Sequence, residues 1–180
     1  MGIPFRSEQS AQDASFRFDL HHRKQAQRWG CMYHAIYALT GDEALLEQVD
    51  DISLPRWFCA IHQQGLIASP LYAHHENIAG EREWDLVSML LMCTGTHRLL
   101  MCIDSLTRPG SRHQIAVVAD FDQMKAVVSD STADGIQVMD WEAFRAGPYA
   151  RAYEVLWIGE AHLHDYAFDH RSNYPITDEA

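Results

Sequence analysis

The pattern of apolar residues changes near Arg98, and this change restricts the fold to a few classes. Before it, apolar residues recur with helical spacing, whereas after it they form short runs rich in β-branched residues, such as 115–118 and 126–128. Helices followed by strands predict a single α+β domain over the whole chain, with N-terminal helices packed on a C-terminal antiparallel sheet. We expect 1–20 to be a lead-in arm and 160–180 a surface tail.

The predicted elements follow from apolar spacing and from Gly, Pro and Asp at their ends. The chain predicts helices at 31–40, 42–49, 55–62, 83–93 and 141–145, a loop at 66–80, and strands at 98–104, 113–119, 126–129 and 152–158. The short 121–125 segment predicts a hairpin between the second and third of these strands.

Composition excludes several classes of function. The formal net charge is -11, from 25 acidic and 14 basic residues, and such a surface repels nucleic-acid phosphates. No window approaches the roughly 18 apolar residues of a membrane span, and the N-terminus lacks the order of a signal peptide. We therefore expect a protein that is cytoplasmic as made and binds neither nucleic acid nor membrane.

The cysteines and histidines do not form a recognisable metal or disulfide pattern. The four cysteines, at 31, 59, 93 and 102, have no CxxC pair, and we expect reduced thiols, with Cys59, Cys93 and Cys102 inert in the core. His21-His22 and His74-His75 are adjacent pairs whose side chains would diverge on a regular element. The His- and Asp-rich tail would offer ligands only if it folded for that purpose, so we expect no metal and no cofactor.

Gly30-Cys31 stands at the start of an apolar, helix-forming run. A thiol at a helix N-terminus lies at the positive end of the peptide dipoles, which favours the thiolate and suits a nucleophile. The same position is also common for an ordinary buried cysteine. The balance between the two interpretations depends on residues some eighty positions further along.

Those residues supply the partners that thiol hydrolysis needs. His113 begins one predicted strand and Asp130 ends the next, so the hairpin brings an imidazole and a carboxylate to the same end of the sheet. Gln25, six residues before Cys31, offers its side-chain amide to an oxyanion beside the Cys31 backbone N–H. Gln27 competes for this role.

Other candidates for the base and its orienting carboxylate are weaker. His34 lies one helical turn after Cys31 and is a secondary candidate base. Asp120 and Asp122 lie near the other end of the His113 strand and are poorer orienters. A turn carboxylate that caps its own backbone is the alternative interpretation of Asp130.

The order Gln25, Cys31, His113 and Asp130, with the segment HQIAVVADFDQMKAVVSDST, resembles the papain-like cysteine peptidases. Within them the chain is most similar to the bacteriocin-processing, double-glycine peptidases. The resemblance covers roughly residues 25–158 and implies a papain-like fold, with Cys31 as nucleophile, His113 as general base and acid, Asp130 as orienting carboxylate and Gln25 as oxyanion donor.

Two departures from the family concern the substrate. Gly30-Cys31-Met32 stands where the family usually has Asp-Cys-Gly, and Ser131 stands where it has Pro after the Asp. Cleavage after a double glycine is therefore implied by analogy alone.

The function expected from this resemblance is a cysteine peptidase that cleaves a protein or peptide through a thioester acyl-enzyme. The same triad would also serve a glutamine deamidase or a transglutaminase-like acyl transferase, and a third alternative is an inactive papain-like module that binds a protein. By analogy, a small acidic domain of this kind resembles an effector or toxin delivered into another cell by a bacterial secretion system, with a cognate immunity protein as a partner.

Overall fold

A computed structural model describes residues 18–47, 54–78, 81–92 and 94–160. The helices are α1 Cys31–Thr40, α2 Leu54–Gln63, α3 Glu81–Leu90 and α4 Trp141–Ala146, with short 3-10 helices at Glu43–Glu47 and Pro148–Ala150. The strands are β1 Leu66–Ala73, β2 Thr96–Asp104, β3 Arg112–Asp120, β4 Lys125–Ser129, β5 Gln137–Asp140 and β6 Ala152–Glu160.

The strands form one antiparallel sheet in the order β1-β6-β2-β3-β4-β5. In the predicted hairpin, Asp120 of β3 lies opposite Lys125 of β4 and Ala116 lies opposite Ser129. The hairpin prediction is therefore confirmed. It places the start of β3 and the end of β4 at the same end of the sheet.

Helices cover both faces of this sheet. Successive strand residues point to opposite faces, and the even-numbered Ala116 and Val118 of β3 share an apolar cluster with α1 and α2. The odd-numbered Val117 and Ala119 share a second cluster with Trp84 of α3 and the aromatic residues of α4. The prediction of mixed helices and antiparallel sheet is confirmed, but the helices do not lie on one side of it.

Two parts of the predicted order are wrong. The predicted loop at 66–80 begins with β1, which pairs with β6 at one edge of the sheet, so a strand lies among the N-terminal helices. Pro70 argues against a strand in the sequence, because proline has no N–H to donate to a neighbouring strand. It is tolerated here because β1 is an edge strand, with a register shift between Pro70 and Tyr72. The four-residue β5 at the other edge was also missed.

The helix ends agree better with the ends predicted from the sequence. Gly41, at φ 74°, ends α1 through an N–H bond to Tyr37 O, and Asp42 Oδ1 accepts from the Ala44 N–H at 3.1 Å, as the capping pattern predicts. The helix that Asp42 caps is 3-10 rather than α. The predicted arm and tail lie outside the described residues except at their inner ends, where Leu20 is fully buried and Glu160 ends β6.

None of the helices that the structure describes has the length and apolar content needed to cross a bilayer.

Candidate active site

The cysteine at the start of α1 is presented by a turn that only glycine adopts easily. Gly30 has φ 106°, a region that a Cβ atom disfavours, and its carbonyl accepts the first helical bond, from the His34 N–H at 3.0 Å. No side chain caps the helix, and no acceptor among the described residues takes the Cys31 backbone N–H. The half-buried Cys31 thiol thus lies beside an unused N–H donor.

His113, the second residue of β3, brings its imidazole to this thiol from the sheet. Its Nε2 lies 2.8 Å from Asp130 Oδ1, and both side chains are buried. The imidazole and the Cys31 thiol lie close enough that each shifts the pKa of the other, and both line the same cleft. Because Asp130 engages Nε2, Nδ1 is the nitrogen that faces the thiol. The structure brings together the three residues expected to form a triad.

The Asp130 carboxylate is held on both oxygens. Oδ1 also accepts from the backbone N–H and the hydroxyl of Thr132, each at 2.8 Å. Oδ2 accepts from the Tyr149 hydroxyl at 3.3 Å, and Gln137 Nε2 donates to that hydroxyl at 2.7 Å. This network fixes the carboxylate toward His113 as well as capping its own turn.

Three members of this network are not among the residues predicted from the sequence. Thr132 carries a usable signal, since Asp followed two residues later by a backbone donor is typical of an Asx turn. Tyr149 and Gln137 carry none, because they reach Asp130 through tertiary packing.

Burial and hydrogen bonding determine the charge state of the triad. Burial disfavours the imidazolium, but hydrogen bonds to Asp130 and Cys31 outweigh it and raise the pKa of His113 to about 9. Burial also disfavours the thiolate, yet the hydrogen bond from His113 and the backbone N–H groups of Gln114 and Met32 lower the pKa of Cys31. The pKa of Asp130 is lowered in spite of burial, through His113 and Thr132. The arrangement favours a thiolate–imidazolium pair.

Gln25 lines the cleft in front of Cys31 but uses its amide within the protein. Its Nε2 donates to the carbonyls of Gln27 at 2.6 Å and Trp29 at 3.0 Å, and its Oε1 accepts from the Ser131 hydroxyl at 2.9 Å. An amide has two N–H donors, and both have acceptors here. Gln25 therefore ties the turn before Cys31 to the turn after Asp130, and its role at an oxyanion stays a prediction.

The secondary candidates lie close to the site without joining the triad. His34 Nδ1 hydrogen-bonds to Arg23 O at 2.9 Å. His22 bridges Ser129 and the Ala133 carbonyl behind the Asp130 turn, at 3.0 and 3.3 Å. Asp120 and Asp122 cap backbone N–H groups at the other end of β3.

The other cysteines differ from one another. Cys102 is buried, and burial raises its pKa to about 11, in accord with an inert core thiol. Cys59 is exposed, so its prediction as a core residue is wrong: it lies on the outer face of α2. Cys31, Cys59 and Cys102 are all free thiols, and Cys93 lies outside the described residues.

The prediction that the side chains of His74 and His75 diverge is also wrong. Their ring centroids lie 4.1 Å apart, because the pair follows β1, where the alternation of a strand has ended. With Glu76 they form an exposed group whose potential ligand atoms lie within 4.8 Å of one another.

An open cleft of about 850 Å³ leads to Cys31 and His113. One wall is the loop before α1, which contains Arg28 and Trp29, and the other is the loop between β2 and β3, which contains Arg108. A cleft of this size admits an extended peptide or a long side chain.

A scan against models of known protein families finds no match, and a search of curated proteins finds no similar chain.

Proposed function

We propose that this protein is a cysteine peptidase of papain-like architecture, with Cys31 as nucleophile, His113 as general base and acid, and Asp130 as the orienting carboxylate. The observation that carries the proposal is the buried hydrogen bond between His113 and Asp130 beside the Cys31 thiol, at the end of an open cleft. A Cys–His pair with a third orienting group is the arrangement that nucleophilic acyl transfer requires.

In the first half of the reaction, the Cys31 thiolate attacks the carbonyl carbon of the scissile peptide, and the carbonyl oxygen becomes an oxyanion. The Cys31 backbone N–H is positioned at the N-terminus of α1 to donate to that oxygen. His113 gives its proton to the leaving nitrogen as the C–N bond breaks, which leaves a thioester on Cys31 and a neutral imidazole.

In the second half, His113 takes a proton from water while the water oxygen attacks the thioester carbon. The C–S bond then breaks, the acid product leaves, and the thiolate–imidazolium pair is restored. Asp130 keeps the imidazole in one orientation and stabilises its charged form throughout. An acceptor amine in place of water would give an acyl transferase, and a glutamine side chain in place of the peptide would give a deamidase.

The test is to incubate the protein with a whole-cell protein extract and identify new N-termini by mass spectrometry. We expect new N-termini with the unaltered protein and with Cys59→Ala, which removes an exposed thiol away from the cleft. We expect none with Cys31→Ala. Equal cleavage by Cys31→Ala would overturn the proposal, and a mass increase of about 1 Da on glutamines without new N-termini would indicate deamidation through the same triad.

A further inference from the structure

Three arginine residues, Arg28, Arg108 and Arg112, line the cleft in front of Cys31. Among the described residues that line it there is no Asp or Glu, although the whole chain has 25 acidic and 14 basic residues. The charge of the cleft is therefore opposite in sign to the net charge of the protein.

Arg28 and Arg108 lie on opposite walls of the cleft, and a hydrogen bond joins the two walls. Arg108 Nη1 donates to the Arg28 carbonyl at 2.7 Å, and the Arg28 guanidinium lies 5.1 Å from the centre of the Trp29 ring. Both side chains are exposed. Within the described part of the chain, neither forms an ion pair within 4.0 Å. Their charges are available to a ligand.

Arg112 differs from these two because the protein already uses its charge. Its guanidinium lies 4.1 Å from the centre of the Tyr153 ring. Burial raises the pKa of the neighbouring Glu154, and the charge of Arg112 partly offsets that rise. The Arg112 guanidinium is therefore already engaged by groups of the protein, and we assign recognition to Arg28 and Arg108.

We infer that Arg28 and Arg108 bind a carboxylate of the substrate, so that the cleft takes an acidic peptide segment with Asp or Glu close to the bond that Cys31 attacks. This inference rests on the proposed peptidase function. Guanidinium groups match carboxylates in geometry and hold them through charge-assisted hydrogen bonds. The acidic surface opposes an acidic chain at long range, but over more than about 10 Å that repulsion is screened at physiological salt. Recognition is thus local to the two arginines.

A first experiment measures anion recognition beside Cys31 without requiring peptidase activity. Iodoacetate and iodoacetamide alkylate the same thiol and differ by one negative charge, so the ratio of their rates at Cys31 reports the local field. The ratio cancels any change in the thiolate fraction, which affects both reagents alike. Peptide mass spectrometry reads the rate at Cys31 separately from the other cysteines.

We expect the double variant Arg28→Ala/Arg108→Ala to lower the iodoacetate-to-iodoacetamide ratio by about fivefold at low ionic strength, the effect of two unscreened unit charges at roughly 8 Å in a water-like medium. Arg28→Lys/Arg108→Lys keeps both charges and should keep most of the ratio. The matched control is Arg82→Ala/Arg151→Ala, which removes two exposed arginines that do not line the cleft. A ratio unchanged in Arg28→Ala/Arg108→Ala would overturn the inference.

A second experiment extends the test to peptides and separates the two proposals. The probe is a tryptic digest of a whole-cell extract, in which cleavage by the protein is mapped by mass spectrometry. We expect Asp or Glu to be enriched within about three residues of the cleaved bond, the span that an extended peptide covers in about 10 Å, and Arg28→Ala/Arg108→Ala to lose that enrichment. Cleavage without an acidic preference would overturn the inference and leave the peptidase in place. A changed alkylation ratio with no cleavage of any peptide would support carboxylate binding by Arg28 and Arg108 and count against the peptidase.

Discussion

His113 Nε2 lies 2.8 Å from Asp130 Oδ1, with both side chains buried, and this bond joins the two ends of the β3–β4 hairpin behind the thiol on α1. The carboxylate is needed because a buried imidazolium without a partner would lose its proton. The pKa of His113 rises to about 9 in spite of burial because Asp130 and Cys31 both hydrogen-bond to it. The charge state of the Cys31 thiol therefore depends on Asp130 through His113.

Replacing Asp130 with Asn tests this dependence. We expect Asp130→Asn to lower the pKa of His113, to reduce the thiolate fraction of Cys31, and to lower kcat/KM by on the order of 10² to 10⁴. Steady-state kinetics on a cleaved peptide measures the loss. Asp134→Asn is the matched control, since Asp134 lies in the same turn but is exposed and paired with Lys24. Equal losses in the two variants would contradict the account.

The Tyr149 hydroxyl supports the carboxylate from the side opposite His113. We expect Tyr149→Phe to raise the pKa of Asp130 and to move the acid limb of the activity profile toward higher pH, because one donor to the charged form is lost. Gln137 Nε2 also loses its acceptor, which costs about 1 to 3 kcal/mol in the free energy of unfolding. pH-rate profiles and denaturant unfolding measure the two effects.

The control for this change is Tyr153→Phe. Tyr153 is a β6 residue whose hydroxyl donates to Asp104 at 3.0 Å in an exposed position. Tyr153→Phe should leave the acid limb of the activity profile unchanged. A shift of that limb in Tyr153→Phe would mean that the shift in Tyr149→Phe does not come from the triad.

Gln25→Ala separates two roles of one amide. Loss of its bonds to Gln27, Trp29 and Ser131 should loosen the turn before Cys31 and lower kcat, by about tenfold or more if an oxyanion donor is also lost. The pH dependence of Cys31 alkylation distinguishes the roles, since a pure oxyanion donor leaves it unchanged and an anchor of the turn alters it. Gln27→Ala is the matched control, and it should have little effect on either measurement.

Gly30→Ala tests whether the left-handed turn positions the thiol. A residue with a Cβ atom at φ 106° should cost about 1 to 2 kcal/mol in the free energy of unfolding. Gly65→Ala is the control, since Gly65 also has a positive φ, 72°, after α2 and has open space around it. We expect destabilisation in both variants but loss of Cys31 reactivity in Gly30→Ala alone. Normal reactivity in stable Gly30→Ala protein would contradict the role given to the turn.

Local chemistry made much of the site predictable from the sequence. Gly30 and Gly41 mark the two ends of α1, and the short segment between β3 and β4 fixes the hairpin that places His113 and Asp130 at one end of the sheet. These signals depend on a few consecutive residues, so a single sequence carries them.

Features that arise from packing between distant segments were not predictable. The apolar run of β1 is broken by Pro70, and only its pairing with β6 makes it a strand. Tyr149 reaches Asp130 across 19 positions of sequence. Arg28 and Arg108 meet through a bond that spans 80 positions, so nothing in either segment predicts a shared cleft.

The measurement that tests the central claim most directly is the alkylation rate of each cysteine by iodoacetamide from about pH 5 to about pH 10, the range in which perturbed and ordinary thiols ionise. The pKa of Cys31 is lowered and that of His113 is about 9. The thiolate–imidazolium pair therefore exists at pH values between these two pKa values. We expect Cys31 to react at low pH, where the exposed Cys59 does not, and His113→Ala to remove that reactivity. If Cys31 follows Cys59 at every pH, or keeps its low-pH reactivity without His113, the triad does not exist as described.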